Sequence, residues 1–290
     1  MRFGLFVSTR NPEPCVTVVI PCYNNGEEIL RSISSIQKQS YSNTQIILVN
    51  DGSTEAKTLS LLSSLQDRVK IVEHATNRGL PAARNSGFAA ASGDFVLFLD
   101  ADDWYDSRSI GAMVSVATEA SGNFFIFSNM MLEGSRTGIN PRPYRPYSQL
   151  MRNGLPYSIM VPRLSLDPSR LYDINLTQGL EDWDLNLRLI SEDFKPLQIE
   201  LPLFHYFVSE KGMFQRQTLK QFFQTWRYIR EKNRHTYERK NLSKVFSQER
   251  EKYSFWSMLP AVVMFHMSKF PFDAVLNRLL IVYLRLTRGR

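Results

Sequence analysis

Between Val16 and Phe127 the chain repeats one rhythm: a short β-branched apolar run, a turn, then a stretch with apolar residues at helical spacing. Period-two or continuous apolar runs of this length are strands, and the intervening segments are long enough to carry the chain back as helices. Such βαβ units force neighbouring strands to lie parallel. The expected strands are Val16 to Ile20, Gln45 to Val49, Val69 to Val72, Phe95 to Leu99 and Phe124 to Phe127. The expected helices are Glu27 to Gln39, Glu55 to Leu65, Pro81 to Ala91 and Ser107 to Ala120. Phe95-Val96-Leu97-Phe98-Leu99 is apolar on both faces, as a central parallel strand covered on each side must be. This rhythm defines an α/β fold: a Rossmann-like, mostly parallel sheet flanked by helices.

The rhythm breaks from Met130 to Pro168, where Gly, Pro, Tyr and Arg predominate, as in Pro141-Arg142-Pro143-Tyr144-Arg145-Pro146. No period survives there, and a long loop over the sheet is expected. Leu180 to Ile190 then reads as a helix opened by acidic residues, with a strand around Leu197 to Leu201. From Phe214 onward the chain reads as helical and basic. Residues 1–210 hold 18 Lys+Arg and 23 Asp+Glu, whereas residues 211–290 hold 17 and 5, so the net charge of +7 comes from the C-terminal region. We therefore expect a domain of residues 1–213 and a basic helical region of residues 214–290. Tyr253 to Ser268 is uncharged but shorter than the roughly 20 apolar residues that span a bilayer. Ala274 to Leu286 alternates apolar faces with Arg278 and Arg285, a pattern suited either to peripheral adsorption on an anionic membrane or to packing with the charged face in water. The apolar run Phe3 to Val7 is too short for a secretory signal, so a cytoplasmic location, extending to the inner face of the membrane, is expected. Cys15 and Cys22 stand at the two ends of one expected strand, too far apart to bridge.

Ligands of open parallel sheets sit beyond the carboxyl ends of the strands. Here the first strand ends in Pro21-Cys22-Tyr23-Asn24, the second in Asn50-Asp51-Gly52-Ser53 and the fourth in Asp100-Ala101-Asp102-Asp103. Singly, each reads as ordinary turn or helix-start chemistry. Together they crowd like charges at one rim, which a hard divalent cation shared with substrate phosphates would relieve. A dehydrogenase is excluded by the lack of G-x-G-x-x-G, and a sugar nucleotidyltransferase by the lack of a Gly-rich basic loop after the first strand. A phosphatase using Asp100 as nucleophile would carry that motif at the start of its fold, not after three strand–helix units.

The residues from about Val16 to Met213 resemble the bacterial family 2 glycosyltransferases of GT-A fold. The likeness rests on Val18-Val19-Ile20-Pro21-Cys22-Tyr23-Asn24, Asn50-Asp51-Gly52-Ser53, Asn77-Arg78-Gly79 running to Ala83-Arg84-Asn85, Leu99-Asp100-Ala101-Asp102-Asp103, and Glu181-Asp182-Trp183-Asp184-Leu185. The resemblance implies an inverting transferase that moves a sugar from a nucleotide diphosphate sugar, UDP-linked or dTDP-linked, to an acceptor hydroxyl. It implies Mg²⁺ or Mn²⁺ as cofactor, a saccharide or lipid-linked acceptor, and a place in cell-surface polysaccharide or glycoconjugate synthesis. No nucleic-acid partner is expected. Residue by residue, Pro21, Tyr23, Asn24, Asp51, Arg84 and Asp100 would form the nucleotide-sugar site. In it, Asp51 accepts from the imide N–H of uracil, Tyr23 packs on the base and Arg84 offsets charge beside the acids. Asp102 would ligate the metal, with His205 a candidate second ligand. Asp182 would be the catalytic base, with Glu181 facing the acceptor and Trp183 in the buried stripe with Leu187 and Ile190. Dipole-favoured acids in a first helical turn explain Asp182 equally well when it is read alone. Two departures stand out. Phe207 and Gly212 occupy places where relatives carry an arginine and a serine that hold pyrophosphate, leaving His205 or Lys211 to supply that contact, and Asn50 stands where an aspartate is frequent. These departures keep open the alternative of a degenerate transferase domain that binds a saccharide or partner without turnover.

Overall fold

The computed structural model describes residues 13–209 and 219–267. Lys211, Gly212 and the Ala274 to Leu286 stretch lie outside the described residues. β1 (Val16–Cys22) is buried along its whole length and pairs in parallel with β2 (Thr44–Asn50) on one side and β4 (Phe95–Phe98) on the other. β3 (Lys70–Glu73) extends the parallel part beyond β2. Helices α1 (Glu28–Gln37), α2 (Ala56–Leu65) and α3 (Leu80–Ala90) make the crossovers, close to the expected boundaries. The strand order β3-β2-β1-β4 reverses direction between β1 and β4, which opens a crevice at their carboxyl ends.

Alternation along the strands divides the core between two faces. Val16, Val18 and Ile20 pack with Ile29, Ile33 and Ile36 of α1 and with Ile110 and Met113 of α4 (Ser109–Glu119). Val19, Ile47, Val49, Val96 and Phe98 face Phe88 of α3 and Leu185 and Leu189 of α6 (Glu181–Ser191). Gly87 lets α3 approach the sheet, since a Cβ there would lie 2.2 Å from a methyl carbon of Val19. Gly52, at φ +70°, turns the chain after β2 where a Cβ would lie 2.4 Å from the backbone of Thr76.

The second half is more ordered than its composition predicts. β5 (Trp104–Tyr105) follows the acidic turn, and β6 (Phe124–Gly134) runs well past Phe127. The expected long loop holds β7 (Gly138–Asn140), the short helix α5 (Pro146–Gln149) and β8 (Met160–Pro162). β8 is antiparallel to both β4 and β6 and lies between them. A three-residue strand is too short to show a period, and its place in the sheet is set by partners far away in sequence. β9 (Lys195–Val208) is 14 residues long, parallel to β6 and antiparallel to β5, with a register shift opposite Ser128/Met130.

Of the basic C-terminal region, the described residues form α7 (Leu219–Lys232), α8 (Arg239–Lys252) and α9 (Phe255–Met267). A third cluster joins it to the rest: Trp183 and Leu187 of α6 pack with Trp226 and Ile229 of α7, Met258 of α9, and Tyr147 and Leu150. Glu249 is fully buried, taking hydrogen bonds from the Ser148 amide at 2.9 Å and its hydroxyl at 2.6 Å, and from Arg145 Nε at 3.0 Å. Lys232 Nζ reaches Asp173 at 2.6 Å and the buried Asp184 at 2.7 Å. Although burial raises it, Asp173 is held down to about 2 by Lys232, the Asn175 amide and Tyr228. Removing Lys232 leaves two carboxylates under-compensated, so Lys232→Met is expected to cost about 2 kcal/mol, discounted for the exposure of the lysine. Because the folded-state value of Asp173 is depressed, its contribution is present above its ordinary range and lost as the pH falls towards 2. Urea melts at neutral pH check the first point, and an unchanged midpoint would refute it. Among the described residues no helix is long and apolar enough to cross a membrane, and both cysteines are free.

Candidate active site

The rim at the β1/β4 switch is built from loops that hold one another. Asn24, at φ 56°, accepts from the amides of Thr54 at 2.8 Å and Glu55 at 3.1 Å, so the turn after β1 holds the segment that leads into α2. Pro21 is buried within β1, and the neighbouring Tyr23 is 46% exposed, its ring free for stacking. Asp51 is buried: it accepts from His74 Nδ1 at 2.6 Å and from the amides of Arg78 at 2.9 Å and Gly79 at 2.8 Å. It thereby anchors the Asn77-Arg78-Gly79 turn. Behind it, His74 Nε2 lies 2.8 Å from Ser86 Oγ, so each ring nitrogen has a partner. Sequence reasoning missed His74; a lone histidine at a strand end gives no signal until the fold sets it against Asp51.

The acidic turn after β4 is gripped from α1. Ser32 Oγ lies 2.7 Å from the carbonyl of Ala101 and 2.6 Å from that of Asp103, and Arg31 donates to the carbonyl of Asp102 at 2.6 Å. The three aspartates have separate partners. Asp103 is buried, accepting from the Phe207 amide at 2.7 Å and Tyr157 Oη at 2.5 Å, so it ties the turn to β9; burial holds its carboxyl well above the usual range. Asp100 receives Arg84 at 2.7 Å. Asp102 is half-buried; burial first and Asp100 next push it up to about 7, while its own amide and Arg31 pull it down.

Arg84 is the centre of the site. Expected beside the acids, it is 1% exposed and spans Asp100 at 2.7 Å and Glu181 at 2.6 Å, between the rings of Tyr157 and Tyr172. Its neighbour Asn85 exchanges hydrogen bonds with the backbone of Tyr172, which fixes the segment leading to α6. Leu180, at φ 68°, turns the chain sharply into α6 and presents Glu181 and Asp182 at its first turn. Asp182 accepts from Asn153 Nδ2 at 2.6 Å and from the Trp183 amide at 2.8 Å; burial raises it, with Asp100 adding to the rise against Arg84. Trp183 is buried, donating its indole N–H to the carbonyl of Gln149 at 2.7 Å. Arg84 thus joins the acids after β4 to those of α6. His205 pairs with Trp104 of β5: its ring stacks on that indole at 5.1 Å and Nδ1 lies 3.2 Å from Glu133.

Burial pushes Glu181 up to about 7, with Arg84 opposing and Asp182 reinforcing. A carboxyl whose folded-state value is raised stabilises the fold below its unfolded value, and that contribution is lost as the pH rises through about 7. The urea midpoint is therefore expected to fall between pH 5 and 7.5, less steeply in Glu181→Gln. Parallel profiles for the two proteins would show that Glu181 does not titrate in this interval.

Among the described residues no three His, Cys, Asp or Glu side chains converge as a cage for a metal. A hard cation held by one or two carboxylates plus substrate phosphates does not need such a cage. Asp102 fits that role: its carboxylate is half-buried and raised, while those of Asp100 and Asp103 are engaged by Arg84, Tyr157 and the Phe207 amide.

The sheet order and its acidic rim at the switch point define a GT-A glycosyltransferase fold, and solved structures agree. TarS of S. aureus, solved as residues 1–349 with UDP-GlcNAc, is 18% identical with a TM-score of 0.62, covering 74% of this chain and 65% of that one. The mannosyltransferase PcManGT from Pyrobaculum calidifontis, solved with GDP-Man and Mn²⁺, is 16% identical with a TM-score of 0.57, covering 96% of this chain and 88% of that one. The profile of Glycosyl transferase family 2 matches residues 17–162, and the chain belongs to that family. The amylovoran biosynthesis glycosyltransferase AmsB of Erwinia amylovora is 29% identical over 206 residues, 66% of this chain and 68% of that protein. The matched stretch spans 17% of the glycosyltransferase GlyA of Streptococcus pneumoniae, at 35% identity, and 73% of the putative glycosyltransferase EpsE of Bacillus subtilis, at 29%.

Proposed function

We propose that this glycosyltransferase moves a sugar from a nucleoside diphosphate sugar, a UDP-sugar by preference, to an acceptor hydroxyl with inversion. The observation that carries the reading is the Arg84 bridge, which sets Asp100 and Glu181 at its two ends and so brings the acidic turn and the first turn of α6 together. Tyr23 stacks on the base, with Pro21, Asn24 and Asp51 shaping the pocket around it. Asp100 sits toward the ribose, and Asp102 is the residue that would hold Mg²⁺ or Mn²⁺. A cation held there would supply charge neutralisation for the leaving diphosphate. Asp182 takes the proton of the acceptor hydroxyl; its raised affinity for a proton suits a base operating near neutrality. Glu181, fixed by Arg84, orients the first turn of α6 on the acceptor side. Inversion follows from a single displacement, in which base and leaving group act on opposite faces of the anomeric carbon.

Residues 1–213 carry this chemistry, and the helices Leu219–Lys232, Arg239–Lys252 and Phe255–Met267 pack beside them. The acceptor is a saccharide or lipid-linked saccharide, as in surface polysaccharide assembly. The net charge of +12 over residues 211–290 favours meeting it at an anionic membrane face. Equal co-sedimentation with anionic and neutral vesicles would refute that location.

The UDP-bound TarS and Mn²⁺-bound PcManGT structures set the first screen. UDP with Mn²⁺ is expected to raise the melting temperature, and slow UDP-sugar hydrolysis should appear; both should be lost in Asp102→Ala. Stabilisation that is indifferent to Asp102 and to divalent ions would overturn the metal-bridged reading. Binding without any hydrolysis or transfer would favour a degenerate module.

A further inference from the structure

At Phe207, where the family resemblance implies an arginine, β9 carries no positive charge, and the ring lies 5.2 Å from the guanidinium of Arg31. Lost there, positive charge returns from another direction. Arg142 follows β7, between Pro141 and Pro143, and its amide donates to Asn129 Oδ1 at 2.8 Å. Asn129 is itself held by Gln198 Nε2 at 2.8 Å and donates to the carbonyl of Glu200 at 2.5 Å. The backbone that carries Arg142 is therefore fixed to the β6/β9 pair.

The guanidinium is half-buried, and its Nε donates to the sulfur of Met130 at 3.0 Å, a weak acceptor. Among the described residues no carboxylate comes within ion-pair distance of it. Burial lowers its proton affinity, Tyr206 raises it, Arg152 lowers it and Asp182 raises it, burial being the largest of these effects. Tyr206 packs on Tyr157, ring centres 6.4 Å apart, and Tyr157 Oη donates to Asp103 at 2.5 Å, so Tyr206 borders the same acidic rim. Met130, which receives Arg142, pairs with Phe204 of β9, and the Phe204 ring lies 6.3 Å from that of Tyr206, so Arg142 and Tyr206 belong to one corner of the β6/β9 pair. A guanidinium taken partly out of water beside a second guanidinium is costly unless an anion arrives. Its planar fork matches phosphate oxygens.

We propose that Arg142 grips the diphosphate of the donor, supplying from the β7–α5 segment the charge that β9 lacks at Phe207. The assignment rests on the nucleotide-sugar reading above and deepens it. The donor diphosphate is favoured over a phosphorylated acceptor because Tyr206, through Tyr157 and Asp103, links this corner to the turn that carries Asp102.

Titration calorimetry with UDP, UMP and inorganic pyrophosphate in Mg²⁺ tests it on the full chain. Arg142→Met is expected to weaken UDP and pyrophosphate binding by about 10–100-fold, the worth of one or two charge-assisted hydrogen bonds. UMP should change far less, and Arg142→Lys should recover part of the loss. Melting temperature and UMP affinity identify a variant that has merely unfolded, in which case Arg142→Lys decides on UDP alone. Unchanged UDP and pyrophosphate affinity in a folded Arg142→Met protein would overturn the inference while leaving the family reading intact. If the same variant raised only the acceptor KM, the anion would belong to the acceptor and the donor assignment would fall. Failure of the wild type to bind any of UDP, UMP and pyrophosphate would overturn this proposal together with the UDP-sugar reading.

Discussion

Asp182→Asn is expected to lower sugar transfer by about 10²–10⁴-fold while leaving UDP affinity and melting temperature close to the wild type. Asparagine keeps the shape and can still accept from the Trp183 amide, now at 2.8 Å from the carboxylate, but it cannot take a proton. Asn153, which donates to Asp182 at 2.6 Å, points its amide hydrogen at either oxygen-bearing side chain, so the local packing should survive. The reading of Asp182 as a mere helix-start acid predicts a different pattern, namely a small loss of stability with little loss of turnover. Full activity in Asp182→Asn would remove the proposed base. A pH profile sharpens the test: burial raises this carboxyl, so kcat/KM should gain an ascending limb above the ordinary aspartate range, and that limb should vanish in the variant.

The second large effect is structural. Arg84→Met should lower stability by about 3–5 kcal/mol, because it strands Glu181, 6% exposed, and Asp100 without their counter-charge. That is a large share of the stability of an ordinary domain, and a fall of about 10 °C in melting temperature is expected. Lysine is a poor substitute, since a single ammonium cannot serve two carboxylates on opposite sides in the geometry of a planar fork. Adding Glu181→Gln to Arg84→Met should return part of the loss. If the double variant were no more stable than the single one, packing against Tyr157 and Tyr172 would outweigh the charge balance.

Much of the catalytic half could be read directly. The strands of the parallel half declared themselves because Val16 to Cys22 and Phe95 to Phe98 are buried on both faces, leaving no polar alternation to confuse the pattern. The helices showed because each crossover carries one apolar stripe, such as Ile29, Ile33 and Ile36. β8 and β5 did not show, since strands of three and two residues are held by partners that lie far off in sequence, β4 and β6 for the one and β9 for the other.

The amino-acid sequence by itself determined the α/β class, the placing of Asp51, Asp100 and Asp102 at strand ends, and the family, because these depend on local periodicity and on motif spacing. Only the tertiary structure decided which acids have partners. Arg84, which could have been a surface residue of an alanine-rich helix, is buried between Asp100 and Glu181; His74 stands behind Asp51; and His205 is turned to Glu133 and Trp104. The physical reason is that charge compensation in a buried site acts through space over a few ångströms. Here Arg84 and Glu181 are 97 residues apart in the chain.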